Sequence, residues 1–362
     1  MLLSKGLYQK ERILWIDIAK GYGIFFIVLG HVLRTGVVRQ FLYSFHVPFF
    51  FILSGLTYRP SERTMNFFKK RFKTILIPYF VFGLISILIY RILAIYIDVD
   101  FELRTGILEN IVGMFYGNPR TDLMKWNLPL WFLPSLFSTM FIAEILESIL
   151  DKHIQKQKWL RAVVVFLCLF LGLVLHNAIK QYDIKLPFFL ESLFFLLGFF
   201  ELGVFISPLI QKKEISEKIK KRPATSLLMS LCLILIGLFA SLINGSTEVI
   251  AISYGSYPIL FVVSAISISF GLIIVSFITP STLQIQLIGF SSLSILLLHK
   301  FPILLFQFII PFTKKALEKP SSLLGFVTSL IVSVLTIFLC LLASKVIEKL
   351  LPEILGKKRE VE

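Results

Sequence analysis

Three residues near the start of the chain have types and spacing suited to acid–base chemistry. They are Asp17, Lys20 and His31, in the run ILWIDIAKGYGIFFIVLGHVL. On a helix turning 100° per residue, Lys20 and His31 fall ~20° apart in azimuth and ~16 Å apart along the axis. Asp17 falls ~40° to the other side, so all three share one stripe. Histidine titrates near neutrality and can take a proton from a hydroxyl. Asp17 and Lys20, at i,i+3, can neutralise each other. Gly21, Gly23 and Gly30 let a neighbouring helix or a ligand approach this segment closely.

Other polar residues stand in equally apolar surroundings. His46 precedes Pro48 in FLYSFHVPFFFILSGLTY, with Ser54 deeper in the same run. Trp131 lies in NLPLWFLPSLF, Glu191 in LPFFLESLFF, and His299 in IGFSSLSILLLHKF. Lys69, Lys70, Arg71 and Lys73 crowd into FFKKRFKTILIPYF, as an ordinary membrane anchor or as a clamp for a phosphate-bearing ligand. His153 and His176 read as solvated, one in a loop and one near a span end. Cys168, Cys232 and Cys340 have no metal-ligand spacing and read as small apolar fillers, so no metal site is expected.

The elements that hold these residues follow from composition. Of 362 residues, 56% are hydrophobic and 16% charged; Phe occurs 37 times and the mean hydropathy is +0.84. A soluble domain carries roughly 25% charged residues, so a soluble enzyme, a disordered chain and a disulfide scaffold are excluded. A membrane span takes ~20 mostly apolar residues. Ten segments qualify, at 13–33, 41–58, 74–96, 129–150, 159–178, 187–209, 225–244, 257–279, 285–309 and 322–350. The expected fold is therefore all-α, a polytopic transmembrane helical bundle. Residues 1–350 form one membrane domain and 351–362 a short charged tail.

The net charge of +15 comes mainly from alternate loops, so no nucleic-acid partner is expected. Lys5, Lys10 and Arg12 open the chain. Arg59, Arg63 and the Lys69–Lys73 run follow segment 2. Lys152, Lys156, Lys158 and Arg161 follow segment 4; Lys212, Lys213, Lys218, Lys220, Lys221 and Arg222 follow segment 6. Asp98, Asp100, Glu102, Glu109 and Asp122 make the intervening loop acidic. Positive loops stay in the cytoplasm, which puts both termini there. Lys314, Lys315 and Lys319 are the exception. In this topology His31, His46, Glu191 and His299 fall in the outer half of the membrane, and the Arg71 cluster falls at the inner face.

Lys20-x10-His31 after Asp17, then FHVPFFFILSG, KKRFKTILIPYF, LWFLPSLF and SSLSILLLH, resemble in order and spacing the membrane acyltransferase family 3, of the fucose 4-O-acetylase type. The resemblance runs across 13–345, nearly the whole chain. It implies an O-acyltransferase that moves an acyl group, usually acetyl from acetyl-CoA, to a hydroxyl of a surface or lipid-linked glycan. The setting it implies is a multi-pass protein of a bacterial cytoplasmic membrane. His31 matches the family's first-helix histidine. Lys20 stands where the family usually has Arg, keeping the charge without the bidentate fork. Arg71 matches the first Arg of the family's Arg-x-x-Arg motif, with Thr74 in place of the second and Lys73 beside it.

The expected catalytic set is His31, Lys20 and Asp17. Donor binding is expected from Lys69, Lys70, Arg71 and Lys73, and a substrate pocket from His46, Ser54, Trp131, Glu191 and His299. Acyl-CoA, the glycan or glycolipid acceptor and the lipid bilayer are the expected partners, and a homodimer is compatible with the chain. The alternative is a glycolipid transporter or flippase, because intramembrane polar groups also mark pathways. A transporter more often shows paired, repeated halves, and no repeat is visible.

Overall fold

The computed structural model describes residues 13–60, 64–96, 106–124, 126–149, 158–280, 284–309 and 322–356. Among the loop residues read for orientation, Lys5, Lys10, Arg12, Arg63, Asp98, Asp100, Glu102, Lys152, Lys156, Lys314, Lys315 and Lys319 lie outside these. So do His153 and the tail at 357–362.

The described chain is an all-α polytopic bundle with no strand beyond one isolated bridge, Glu248 to Ser253. Among the described residues nine helical stretches are long and apolar enough to cross a membrane, and the chain is an integral multi-pass membrane protein. Helix α1 (Leu14–Val32) is followed by α2 (Val37–Tyr43) and α3 (His46–Leu56), which together make the second stretch. Next come α4 (Thr64–Arg71), a π-helical turn at Phe72–Leu76, and α5 (Ile77–Tyr96). The short α6 (Ile107–Tyr116) precedes α7 (Phe132–Ile149), α8 (Lys158–Gln181) and α9 (Leu193–Ile210). The amphipathic α10 (Lys213–Lys221) leads into α11 (Pro223–Asn244) and α12 (Pro258–Ile278).

The segment at 285–309, expected as one span, is three short helices in series. These are α13 (Ile285–Phe290), α14 (Ser292–Leu298) and α15 (Lys300–Ile309), before the long α16 (Leu323–Leu350). The second break, at His299, is followed by Pro302, which has no N–H to give to the carbonyl of Leu298.

Small residues set how closely the helices approach. A Cβ on Gly289 would collide with the carbonyl oxygen of Asp17, and one on Gly21 with that of Ile285. This seats α13 backbone-to-backbone on the start of α1. Gly55 of α3 and Gly203 of α9 meet the same way, each against a backbone carbonyl of the other helix. Between α11 and α12, Ser230 Oγ donates to Gly271 O at 2.9 Å and Ser264 Oγ to Gly237 O at 2.8 Å. Close contact and interhelical hydrogen bonds replace the hydrophobic effect as the glue inside a bilayer. The junction between α2 and α3 is pinned by Ser44, whose Oγ lies 2.8 Å from Ser264 Oγ.

Candidate active site

Two of the three residues expected to share a stripe on α1 open into separate cavities, His31 into the first and Lys20 into the second. The first, about 280 Å³, is lined by His31, His46, Tyr43, Trp131 and Phe132, together with Arg34, Arg39, Glu248 and Lys300. The second, about 270 Å³, is lined by Lys20, Ser54, Thr57, Arg71, Thr74 and Ser292 among apolar neighbours. Three residues line both: Ile27, Phe132 and Leu296. The cavities therefore stand back to back along α1 with this apolar partition between them. Ile27 is one turn before His31 and two turns after Lys20, or ~6 Å and ~10 Å along the axis.

The first cavity is built around imidazoles. The ring of His31 lies 5.1 Å from that of His299 and 6.3 Å, edge-on, from Tyr43; Tyr43 lies 4.7 Å from His46. His46 Nδ1 is 2.8 Å from Leu42 O. His299 Nδ1 is 3.0 Å from Ile295 O and 2.9 Å from Leu296 O. A carbonyl can only accept, so in both residues Nδ1 carries the hydrogen and the Nε2 of the neutral ring is the acceptor. His299 is fully buried behind His31, and its Nε2 has no hydrogen-bond partner among the described residues. The rim is ionic. The guanidinium of Arg39 sits 3.8 Å over the Tyr43 ring, and its Nη2 donates to Glu248 Oε1 at 3.3 Å.

The second cavity is shaped by the π-helical turn. A π turn widens the backbone and re-aims side chains, and such turns are frequent at functional sites. Arg71 and Thr74, on either side of its start, both line the cavity, whereas Lys69, Lys70 and Lys73 are exposed and do not. The Arg71 guanidinium lies 5.0 Å from the Phe67 ring, and its buried Nε has no hydrogen-bond partner among the described residues. Beneath it Tyr58 donates to Glu144 Oε2 at 2.6 Å; burial, then this bond, raises the tyrosine's pKa above its ordinary value.

The expected site residues thus divide. His31, His46 and Trp131 meet in the first cavity with His299 behind them; Lys20, Ser54 and Arg71 meet in the second. Asp17, half-buried in the first turn of α1, lines neither; its carbonyl abuts Gly289. Glu191 also lines neither. Its Oε1 accepts from Asn118 Nδ2 at 2.7 Å and from Arg120 at 3.5 Å, and its Oε2 from the Leu186 N–H at 3.0 Å. It clasps two loops together. In the same clasp Arg120 reaches Asp183 at 3.0 Å, and the bond from Lys185 holds the Asp183 carboxyl below its ordinary pKa. His176, expected to be solvated, is buried 5.2 Å from the Tyr254 ring, because the loop before α12 folds back over the end of α8.

Sequence reasoning passed over Tyr43, Arg34, Arg39, Glu248, Lys300, Phe132, Thr57 and Ser292. Arg39 and Tyr43, at i,i+4, were findable as a helical pair. Glu248 was not, since only the tertiary fold brings it to Arg39. No group of His, Cys, Asp and Glu among the described residues has a metal-binding arrangement. A protein-family model described as an acyltransferase domain matches residues 13–345. No curated protein and no solved structure gives a significant match.

Proposed function

The chain belongs to the acyltransferase 3 family of membrane proteins, and from that premise we propose that it transfers an acetyl group from acetyl-CoA to a hydroxyl of a cell-surface or lipid-linked glycan. The pair of cavities meeting at Ile27, Phe132 and Leu296 carries this reading. One holds the donor and the other the acceptor, so the two need meet only at the partition. The Arg71 cavity takes the donor. Arg71 and Lys20 supply cations for its phosphates, and the Arg71 Nε, which has no hydrogen-bond partner among the described residues, fits such an anion. The pantetheine arm brings the thioester to the partition. His31, one turn away, takes the acceptor's hydroxyl proton as the oxygen bonds to the acyl carbon and the carbon–sulfur bond breaks. That proton then passes to the departing thiolate, which balances the reaction. His299 buttresses His31, and His46 borders the acceptor.

In this reading the Arg71 end faces the cytosol, where acetyl-CoA is, and the His31 end faces outward, in a bacterial cytoplasmic membrane. The alternating basic loops support that orientation. The test is purified full-length protein in vesicles with radiolabelled acetyl-CoA and cell-envelope glycans. Label is expected in the glycan fraction and lost with His31→Ala. Glycan movement across the vesicle without acetylation would replace the enzyme by a transporter.

A further inference from the structure

Two consecutive phenylalanines hold a backbone conformation that side chains avoid. Between α8 and α9 the chain passes through Phe188 (φ 57°, ψ 25°) and Phe189 (φ 60°, ψ 35°). Both are left-handed, a region unfavourable for any residue with a Cβ and more so for a bulky one. Among the described residues the other non-glycine positions with positive φ are Asp183 and Ile252. Asp183 belongs to the same connection, and Ile252 follows Glu248, Val249 and Ile250 of the His31 cavity wall. The strain is thus gathered in two connections at the His31 end of the bundle.

Glycine would take this turn freely, so its surroundings must hold phenylalanine in it. Such strain persists only where it is over-determined, and it collects at functional sites. Leu186 anchors the turn: its carbonyl accepts from Asn118 Nδ2 at 2.8 Å and from the Phe189 N–H at 3.3 Å. The two rings then go to different places. Phe188, half-buried, packs on Gly117 and stands edge-on to Phe137 at 6.4 Å. Phe189, fully buried, stands edge-on to Trp131 at 5.1 Å, nearer to it than Phe132 at 6.4 Å. Phe189 itself lines neither cavity. Trp131 does line the His31 cavity, at the end of the short turn Leu128–Trp131 and directly before Phe132 of the partition.

We infer that Phe189 is a positioning residue for Trp131, and that the strained turn fixes, through that contact, the shape of the cavity wall the acceptor meets. Assigning this cavity to the acceptor rests on the transferase reading; the bracing of Trp131 does not. Phe188 is the built-in control. It has the same side chain and the same strain, but its ring is turned to Phe137 instead.

The experiment compares Phe189→Leu with Phe188→Leu in the purified full chain; Phe189→Met replaces the first where it does not fold. Acetylation is followed at saturating acetyl-CoA while the amount of cell-envelope glycan is varied. Phe189→Leu is expected to raise the half-saturating amount of glycan about two- to tenfold, the fold-change of losing one aromatic pair. KM for acetyl-CoA should stay put, and Phe188→Leu should move neither. Trp131 emission is read as the difference between each protein and the same protein carrying Trp131→Phe. It should shift to the red and become more open to acrylamide quenching in Phe189→Leu alone. Parent-like Trp131 emission in a folded Phe189 variant, or equal changes in Phe188→Leu, would overturn the inference. Altered emission with unchanged glycan saturation would reduce Phe189 to packing and overturn its role in acceptor binding. A parent protein that acetylates no glycan would sink the transferase reading, and the emission would still decide whether Phe189 holds Trp131.

Discussion

His31 and His299 lie with their rings 5.1 Å apart and tilted by 36°. One lines the cavity and the other is fully enclosed behind it. The two backbone carbonyls that hold the His299 Nδ1 hydrogen fix its tautomer and turn its Nε2 edge away from its own helix. His31→Ala should abolish acetyl transfer while the protein still inserts and unfolds cooperatively. His299→Phe, which keeps the ring but not the nitrogen, should lower kcat with little change in KM for acetyl-CoA. Steady-state kinetics on purified variants checks both, and full turnover in His299→Phe would reduce that residue to packing.

Of the basic cluster, only Arg71 enters the cavity. Arg71→Ala should raise KM for acetyl-CoA by about tenfold or more, as expected for losing a charge-assisted contact of ~1.5–3 kcal/mol. The exposed triple change Lys69→Ala, Lys70→Ala, Lys73→Ala should alter it far less. Equal effects from the two variants would show that diffuse charge, not the Arg71 contact, holds the donor.

Lys20 lines the same cavity from the facing helix. Lys20→Arg should keep transfer and Lys20→Met should impair it, scored per folded molecule. A Lys20→Met protein as active as the parent would make the charge dispensable.

Phe132 borders both cavities and is the bulkiest part of the partition. Phe132→Leu should raise the rate with propionyl-CoA relative to acetyl-CoA. It should also raise acetyl-CoA hydrolysis without acceptor, because the shortened side chain lets water reach the thioester. Unchanged selectivity among acyl donors would place the limit on acyl length elsewhere.

Glu191 is a buried structural clasp rather than a cavity residue. Glu191→Ala removes the acceptor that Arg120 and Asn118 share, but Arg120 keeps Asp183 and Asn118 keeps the Leu186 carbonyl, so the loss of these buried hydrogen bonds costs about 1–3 kcal/mol. The unfolding midpoint should fall clearly while KM for acetyl-CoA stays within about twofold, since Glu191 does not line the Arg71 cavity. A selective loss of acceptor binding in a stable Glu191→Ala protein would return the residue to the substrate pocket.

Much was legible in the sequence because a bilayer constrains a chain locally. Each span must satisfy its own backbone hydrogen bonds, so runs of Phe, Leu and Ile announce helices one at a time. The 3.6-residue period alone puts Lys20 and His31 on one face. The family is legible for the same reason: its motifs lie within single helices and loops. What separated the expected site residues was tertiary. Glu191 and His46 look alike in sequence, a polar residue near a span end, yet one clasps loops and the other borders the cavity. The π turn that admits Arg71 and leaves Lys69 and Lys73 outside has no apolar period to betray it. The carboxylate of Glu248 reaches Arg39 across 209 residues of chain. Ile27, Phe132 and Leu296 become a partition only when three helices converge, since nothing local distinguishes a residue facing a ligand from one facing a neighbouring helix. Local periodicity determines which residues share a face; close packing of glycine and serine surfaces decides what each face meets.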